Sequence, residues 1–136
     1  MPHHKQISLL LTKAAQDEYV LDKLMDDTQA PVEIFGFHAQ QAAEKLLKAI
    51  LAASGTTYPH THRLVELIDL ARSQGINLPD EFEELRYLTP FAVEFRYDVL
   101  PDEIEAPIDK SKVLELINNL RSWAESFIKE RMGQEE

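Results

Sequence analysis

Apolar residues recur at steps of three and four along most of the chain, which is the period of the buried face of an α-helix. The first half of the clearest stripe is rich in alanine, and small side chains let a neighbouring backbone approach closely. We therefore expect a tight helix crossing or a subunit contact there. The stripe consists of Phe35, Ala39, Ala42, Ala43, Leu46, Leu47, Ile50 and Ala53.

The same period predicts five helical segments separated by polar, proline-containing or glycine-containing turns. In the first segment, Tyr19 is expected on the apolar face. Thr61 is expected to be the N-cap of the third, and Pro90 should bend or break the fourth near Thr89. The predicted segments run from Gln6 to Leu24, from Pro31 to Ala53, from Thr61 to about Ser73, from Pro79 to about Phe95, and from Asp109 to Gly133.

No repeat and no alternating strand pattern interrupts these segments, so the expected fold is all-α, an up-and-down bundle of four to five helices in a single domain over residues 1–136. A chain of 136 residues without cysteine can bury a sufficient core unaided. Its apolar runs are shorter than a membrane span requires, and no secretory leader is evident. We therefore expect a cytoplasmic protein that does not associate with a membrane.

The overall charge is acidic, with 14 Lys and Arg against 24 Asp and Glu, for a formal net charge of −10. Such a field repels phosphate backbones, so any contact with RNA must be local.

A polar edge of the second segment offers one place for such a contact. His38, Gln41, Lys45 and Lys48 are three or four residues apart and therefore share one side of a helix. His38 there is either a hydrogen-bonded core or interface residue, or a polar group that lines a cleft.

Two further histidines, His60 and His62, form an H-x-H pair. A zinc site at this pair would need carboxylates from elsewhere because the chain has no cysteine, so no metal is expected. His62 follows the expected cap Thr61, and we expect it to cover the helix start in its neutral form, because a positive charge would oppose the helix dipole.

The richest polar cluster is Arg96-Tyr97-Asp98, where a helix ends and the loop to Pro107 begins. In a bracing role, Arg96 pairs with Asp98 or another carboxylate while Tyr97 is half buried. In a binding role, Arg96 faces a phosphate or a nucleobase and Tyr97 stacks or hydrogen-bonds beside it.

Three stretches in this order, FHAQQAAEK from Phe37, Pro59-His60-Thr61-His62-Arg63-Leu64 and Phe95-Arg96-Tyr97-Asp98, resemble the HEPN family of small helical domains. The resemblance extends from about Ile7 to Phe127. The resemblance implies a homodimer that needs no cofactor. It also implies that the protein either binds a nucleotide or RNA, or is the partner subunit of a minimal nucleotidyltransferase in a toxin–antitoxin-like pair. In such a pair, Tyr97 could be modified.

HEPN ribonucleases carry an arginine followed four to six residues later by a histidine. Arg96 matches the arginine, but no histidine stands in that window, so the proton transfers lack an evident agent unless His38 or His62 supplies one. The first hypothesis is therefore a non-catalytic binding module. The alternative is a metal-independent endoribonuclease of toxin type with Arg96 as its catalytic candidate, and a role in dimerisation alone is a third possibility. The predicted ligand-binding residues are Arg96, Tyr97, Asp98, His38, Gln41, Lys45 and His62.

Overall fold

The computed structural model describes residues 4–92 and 108–133 of the chain. Over these two ranges the secondary structure is entirely helical, which confirms the all-α prediction. The central helix is α2, which packs against each of the other helices. The elements are α1 (His4–Leu24), α2 (Val32–Ala53), α3 (Leu64–Ser73), a 3₁₀ helix (Asp80–Phe91) and α4 (Lys110–Gly133).

The alanine-rich part of α2 lies inside the bundle. Ala39, Ala42 and Ala43 have no exposed surface in the single chain, so the tight crossing is between helices of one molecule, and this face is not available for a subunit contact. Gly36 extends the same close approach, because a Cβ atom at this position would lie 2.5 Å from the ring of Phe91. The 3₁₀ helix is thereby seated directly against the α2 backbone.

The fourth helical segment differs from the prediction in its type. Its buried side chains Phe82, Leu85, Leu88 and Phe91 are each three residues apart, and a 3₁₀ helix with three residues per turn places all four on one face. The helical run continues past Thr89 to Phe91 and contains Pro90 near its end. The helix ends at Phe91, one residue after Pro90, and the bend near Thr89 stays a prediction.

Two predictions about individual residues are also wrong. Helix α3 begins at Leu64 rather than after Thr61, whose hydroxyl oxygen accepts a hydrogen bond from the Arg63 N–H at 3.1 Å. The N–H of Leu64 donates instead to the Thr89 hydroxyl at 3.3 Å. In α1, Tyr19 is 63% exposed, while Asp17 is buried.

An arginine on α4 joins this helix to α1. Arg121 Nε lies 2.8 and 2.7 Å from the two carboxylate oxygens of Glu18, and its Nη2 donates to the Leu11 carbonyl at 2.9 Å. A weaker contact of 3.3 Å leads to Glu125 on the same helix. We call Arg121 and these three partners the Arg121 clamp. The hydrogen bonds to Glu18 raise the pKa of Arg121 above the ordinary value, so the guanidinium group stays charged.

Across the two described ranges, no helix combines the length and apolar character needed to cross a membrane.

Candidate functional site

A continuous polar stripe runs along α2 beside its buried apolar face. Its six positions are His38, Gln40, Gln41, Glu44, Lys45 and Lys48. At 100° per residue, they cover an arc of about 160°. His38 and Lys45 lie at the edge facing α1, and Gln40 and Glu44 lie at the opposite edge. We call these six residues, together with Asp17 of α1 and His62 of the segment before α3, the α2 polar face.

The edge facing α1 is organised by the carboxylate of Asp17. His38 Nδ1 lies 2.9 Å from Asp17 Oδ1, and Lys45 Nζ donates to Asp17 Oδ2 at 2.6 Å. The Asp17 side chain is only 10% exposed, whereas those of His38 and Lys45 are about a quarter exposed. Asp17, His38 and Lys45 form the Asp17 cluster, in which one nearly buried carboxylate holds an imidazole and an ammonium group.

The opposite edge is organised in the same way by Glu44. Its Oε1 receives a hydrogen bond from Gln40 Nε2 at 2.9 Å and lies 2.8 Å from His62 Nδ1, while its Oε2 accepts from Lys48 Nζ at 2.8 Å. Gln40, which is fully buried, also donates to the His62 carbonyl at 2.9 Å. These four residues form the Glu44 cluster, and they fix both the ring and the main chain of His62.

The environment of Glu44 favours its charged form. Burial raises the pKa of this carboxyl group, but the hydrogen bonds from Lys48, Gln40 and His62 together outweigh burial and leave the pKa below its ordinary value. A carboxylate that stays ionised can only accept hydrogen bonds, so His62 Nδ1 must donate to it.

Both imidazoles therefore keep Nε2 available. In His38 and in His62, the hydrogen bond to the carboxylate uses Nδ1, and no atom of the described residues is bonded to Nε2. Within these residues, no buried side-chain nitrogen or oxygen lacks a hydrogen-bond partner. The two Nε2 atoms are consequently accessible to solvent or to a ligand.

Four of the predicted binding residues, His38, Gln41, Lys45 and His62, are thus brought to one face. Gln41 lies between the two clusters and donates to Gln40 Oε1 at 2.7 Å. The prediction that His62 covers the start of α3 is wrong, because its ring turns back to Glu44 on α2. The other three predicted residues, Arg96, Tyr97 and Asp98, lie outside the described residues.

Sequence reasoning missed Asp17, Gln40 and Glu44, which hold the face together. Asp17 carries a signal, because it lies three residues after the buried Ala14 and four before the buried Leu21. An acidic residue at a position of the apolar stripe indicates a buried carboxylate with a partner. Gln40 and Glu44 are four residues apart on the same side of α2, but their partner His62 comes from a distant segment.

A cleft of about 280 Å³ opens beyond the C-terminal end of α2, near the α2 polar face. Lys48 connects the two, because its Nζ lies 5.6 Å from the centre of the Tyr58 ring. The cleft is lined by Gln6, Ala52, Gly55, Thr56, Thr57, Tyr58 and His60. Neither here nor elsewhere in residues 4–92 and 108–133 do three His, Asp or Glu side chains converge as metal ligands.

Comparison with known proteins places this arrangement in a family. No curated protein and no solved structure matches the chain. The family model of the HEPN domain matches residues 7–129, which extend from the first turn of α1 to the last turn of α4. The chain therefore belongs to the HEPN domain family.

Proposed function

We propose that this HEPN protein is a nucleotide- or nucleic-acid-binding module and that the α2 polar face forms one wall of its binding site. The observation that carries the proposal is the convergence of four nitrogen-bearing side chains, His38, Lys45, Lys48 and His62, around two nearly buried carboxylates. The proposal gives this face a role that packing alone does not require, since an apolar helix surface would pack equally well.

The charge distribution supports a local site. The chain as a whole carries ten excess negative charges, which weakens unspecific attraction to phosphate. On the α2 polar face, each cluster contains one carboxylate and one ammonium group, so with neutral imidazoles the face has no net charge. A phosphate-bearing ligand therefore meets less repulsion here than the net charge of the molecule implies.

Binding should respond to charge added at the centre of this face. Gln41→Lys keeps a donor for Gln40 Oε1 and adds one positive charge, so the affinity for a dye-labelled single-stranded RNA should increase about fivefold, which corresponds to roughly 1 kcal/mol. Asn119→Lys, at an exposed position of α4, changes the net charge equally and is the matched control. Fluorescence anisotropy at fixed ionic strength measures both, with labelled ATP as a second probe.

Equal effects of the two substitutions would show that binding follows net charge and not the α2 polar face. Failure of the parent protein to bind either probe would contradict the proposed function. A circular dichroism melt of each variant establishes that the fold is retained.

We also propose that the protein works as a homodimer and pairs with a minimal nucleotidyltransferase, as its family membership suggests. The test is purification of the tagged protein from its source, with mass spectrometry of the associated chains and light scattering of the isolated protein. A small nucleotidyltransferase in equal molar amount supports the pairing. Recovery of the protein without it, in the form of a monomer, contradicts both parts.

Endoribonuclease activity is a second candidate because of the orientation of the imidazoles. An Nδ1–H held by a carboxylate leaves Nε2 positioned to accept or donate a proton, and His38 and His62 are two such groups among the described residues. Gel analysis of the same labelled RNA after incubation with EDTA distinguishes cleavage from binding. Intact RNA after binding at saturation would contradict this candidate and leave the binding module in place.

A further inference from the structure

We propose that the groups of the α2 polar face that contact a phosphate are the imidazoles of His38 and His62, and that binding is accompanied by proton uptake at them. This inference rests on the proposed function and identifies its ligand-contacting atoms as the two Nε2 nitrogens. The ligand class is a phosphate ester or diester, as in a nucleotide or RNA.

The lysines of this face already have internal partners. Lys45 Nζ lies 2.6 Å from Asp17, and Lys48 Nζ lies 2.8 Å from Glu44. Both carboxylates are nearly buried, so a lysine that turned toward a ligand would leave a carboxylate without its counter-ion in a poorly hydrated place. That exchange is unfavourable, and the lysines therefore serve mainly to hold the two carboxylates.

The imidazoles are arranged differently. Each is fixed through Nδ1, each keeps Nε2 accessible, and the His62 side chain is 39% exposed. Because both rings are held in place before a ligand arrives, a contact through Nε2 costs little further side-chain entropy. Neutral imidazole Nε2 accepts hydrogen bonds and cannot donate one to a phosphate oxygen, whereas the protonated ring can.

The charge balance also indicates that the imidazoles, rather than the lysines, contact the phosphate. The Asp17 cluster contains one negative carboxylate and one positive ammonium group, and so does the Glu44 cluster. Other charged groups near His62 are Arg63 and Glu66, which form their own pair at 3.8 Å. The face becomes positive only when an imidazole is protonated, and histidine is the side chain whose charge changes between pH 5 and 8.

Linkage then sets the pH dependence. If binding requires one additional proton, the observed affinity falls about tenfold for each pH unit above the pKa of the group in the free protein, and two such protons give about a hundredfold. Binding that takes up no proton would show no such slope over this range.

The experiment uses asparagine variants of the two histidines. The Asn amide can reproduce the Nδ1–H bond to the carboxylate and has no titrating nitrogen. Anisotropy of a Cy3-labelled RNA is measured from pH 6 to pH 8 at constant ionic strength for the parent protein, for the double variant His38→Asn and His62→Asn, and for His60→Asn. His60 is the matched control because it is exposed, lies two residues from His62 and has no carboxylate partner among the described residues.

We expect the affinity of the parent protein and of His60→Asn to fall at least tenfold from pH 6 to pH 8, and the double variant to lose most of this slope. Titration calorimetry in two buffers of different ionisation enthalpy should show proton uptake in the first two proteins only. Competition by unlabelled ATP and by inorganic phosphate distinguishes a nucleotide site from a site for phosphate alone.

Two results would overturn the inference while the proposed function survives, namely RNA binding whose affinity is flat from pH 6 to pH 8, and a double variant that keeps the slope of the parent protein. Absence of RNA and ATP binding at every pH would instead contradict the proposed function itself. Thermal melts of all variants identify any loss of fold.

Discussion

The α2 polar face and the Arg121 clamp use the same chemistry for different ends. Both place a carboxylate of low exposure against a basic side chain from another part of the chain. In the clamp, the Arg121 guanidinium contacts two carboxylates and a main-chain carbonyl. In the α2 polar face, the carboxylates Asp17 and Glu44 are the central groups, and the bases surround them.

This difference determines what each region can do. Arginine stays charged at all ordinary pH values, and the Arg121 nitrogens are directed to partners within the fold, so Arg121 joins α1 to α4 without offering a nitrogen that changes charge. Each cluster of the polar face ends in an imidazole with one accessible nitrogen. A carboxylate at the centre thus leaves an imidazole nitrogen at the edge of the cluster, whereas an arginine at the centre directs all its nitrogens to partners within the fold.

The largest effect in this comparison should come from removing a central carboxylate. Glu44→Ala leaves Lys48, Gln40 and His62 without their shared acceptor, and Lys48 is only 14% exposed. We expect the free energy of unfolding to fall by about 3 kcal/mol, because breaking a buried ion pair leaves its partner uncompensated. Urea denaturation followed by circular dichroism measures the change.

Glu125→Ala is the control within the Arg121 clamp. Glu125 is 56% exposed and contacts Arg121 at 3.3 Å, while the clamp retains Glu18. Its removal should change the unfolding free energy by no more than about 0.5 kcal/mol. If the two substitutions cost the same, the α2 polar face is less well packed than its contacts indicate, and the contrast between the regions fails.

Much of the fold could be predicted from the sequence because helical periodicity is a local signal. The stripe from Phe35 to Ala53 fixes both the position and the buried face of α2. The 3₁₀ helix shows how a local signal can be misinterpreted. Its residues Leu85, Leu88 and Phe91 are three positions apart, and that spacing suits a 3₁₀ helix. Among the buried residues of this 3₁₀ helix, no step of four residues occurs.

The site was less predictable because its central groups are joined by distant pairs. The edge containing His38, Gln41 and Lys45 follows from helical spacing alone. The partner of His38, however, lies on α1, and the histidine that contacts Glu44 lies in the segment before α3. Neither pairing can be predicted from the spacing of residues along one helix. Thr61 failed as a cap for a similar reason, since Thr89 from the 3₁₀ helix supplies the acceptor at the start of α3.

A smaller effect should appear in the acid dependence of stability. The pKa of Glu44 is lower in the folded protein than its ordinary value of 4.5, so as the pH falls the unfolded chain takes up a proton at this residue before the folded protein does. The stabilisation from ionised Glu44 is therefore complete above about pH 5 and is lost as the pH falls through 4.5 toward the folded pKa.

Glu44→Gln removes this titration but keeps an acceptor for His62. The difference in unfolding free energy between the parent protein and this variant should be constant from pH 6 to about pH 5 and shrink as the pH falls further to 3, whereas the difference between the parent protein and Glu125→Gln, at an exposed carboxylate, should stay near zero. A Glu44→Gln difference that is constant over this range would mean that the hydrogen bonds of the Glu44 cluster do not favour the carboxylate, and the proposed contrast with the clamp would then rest on geometry alone.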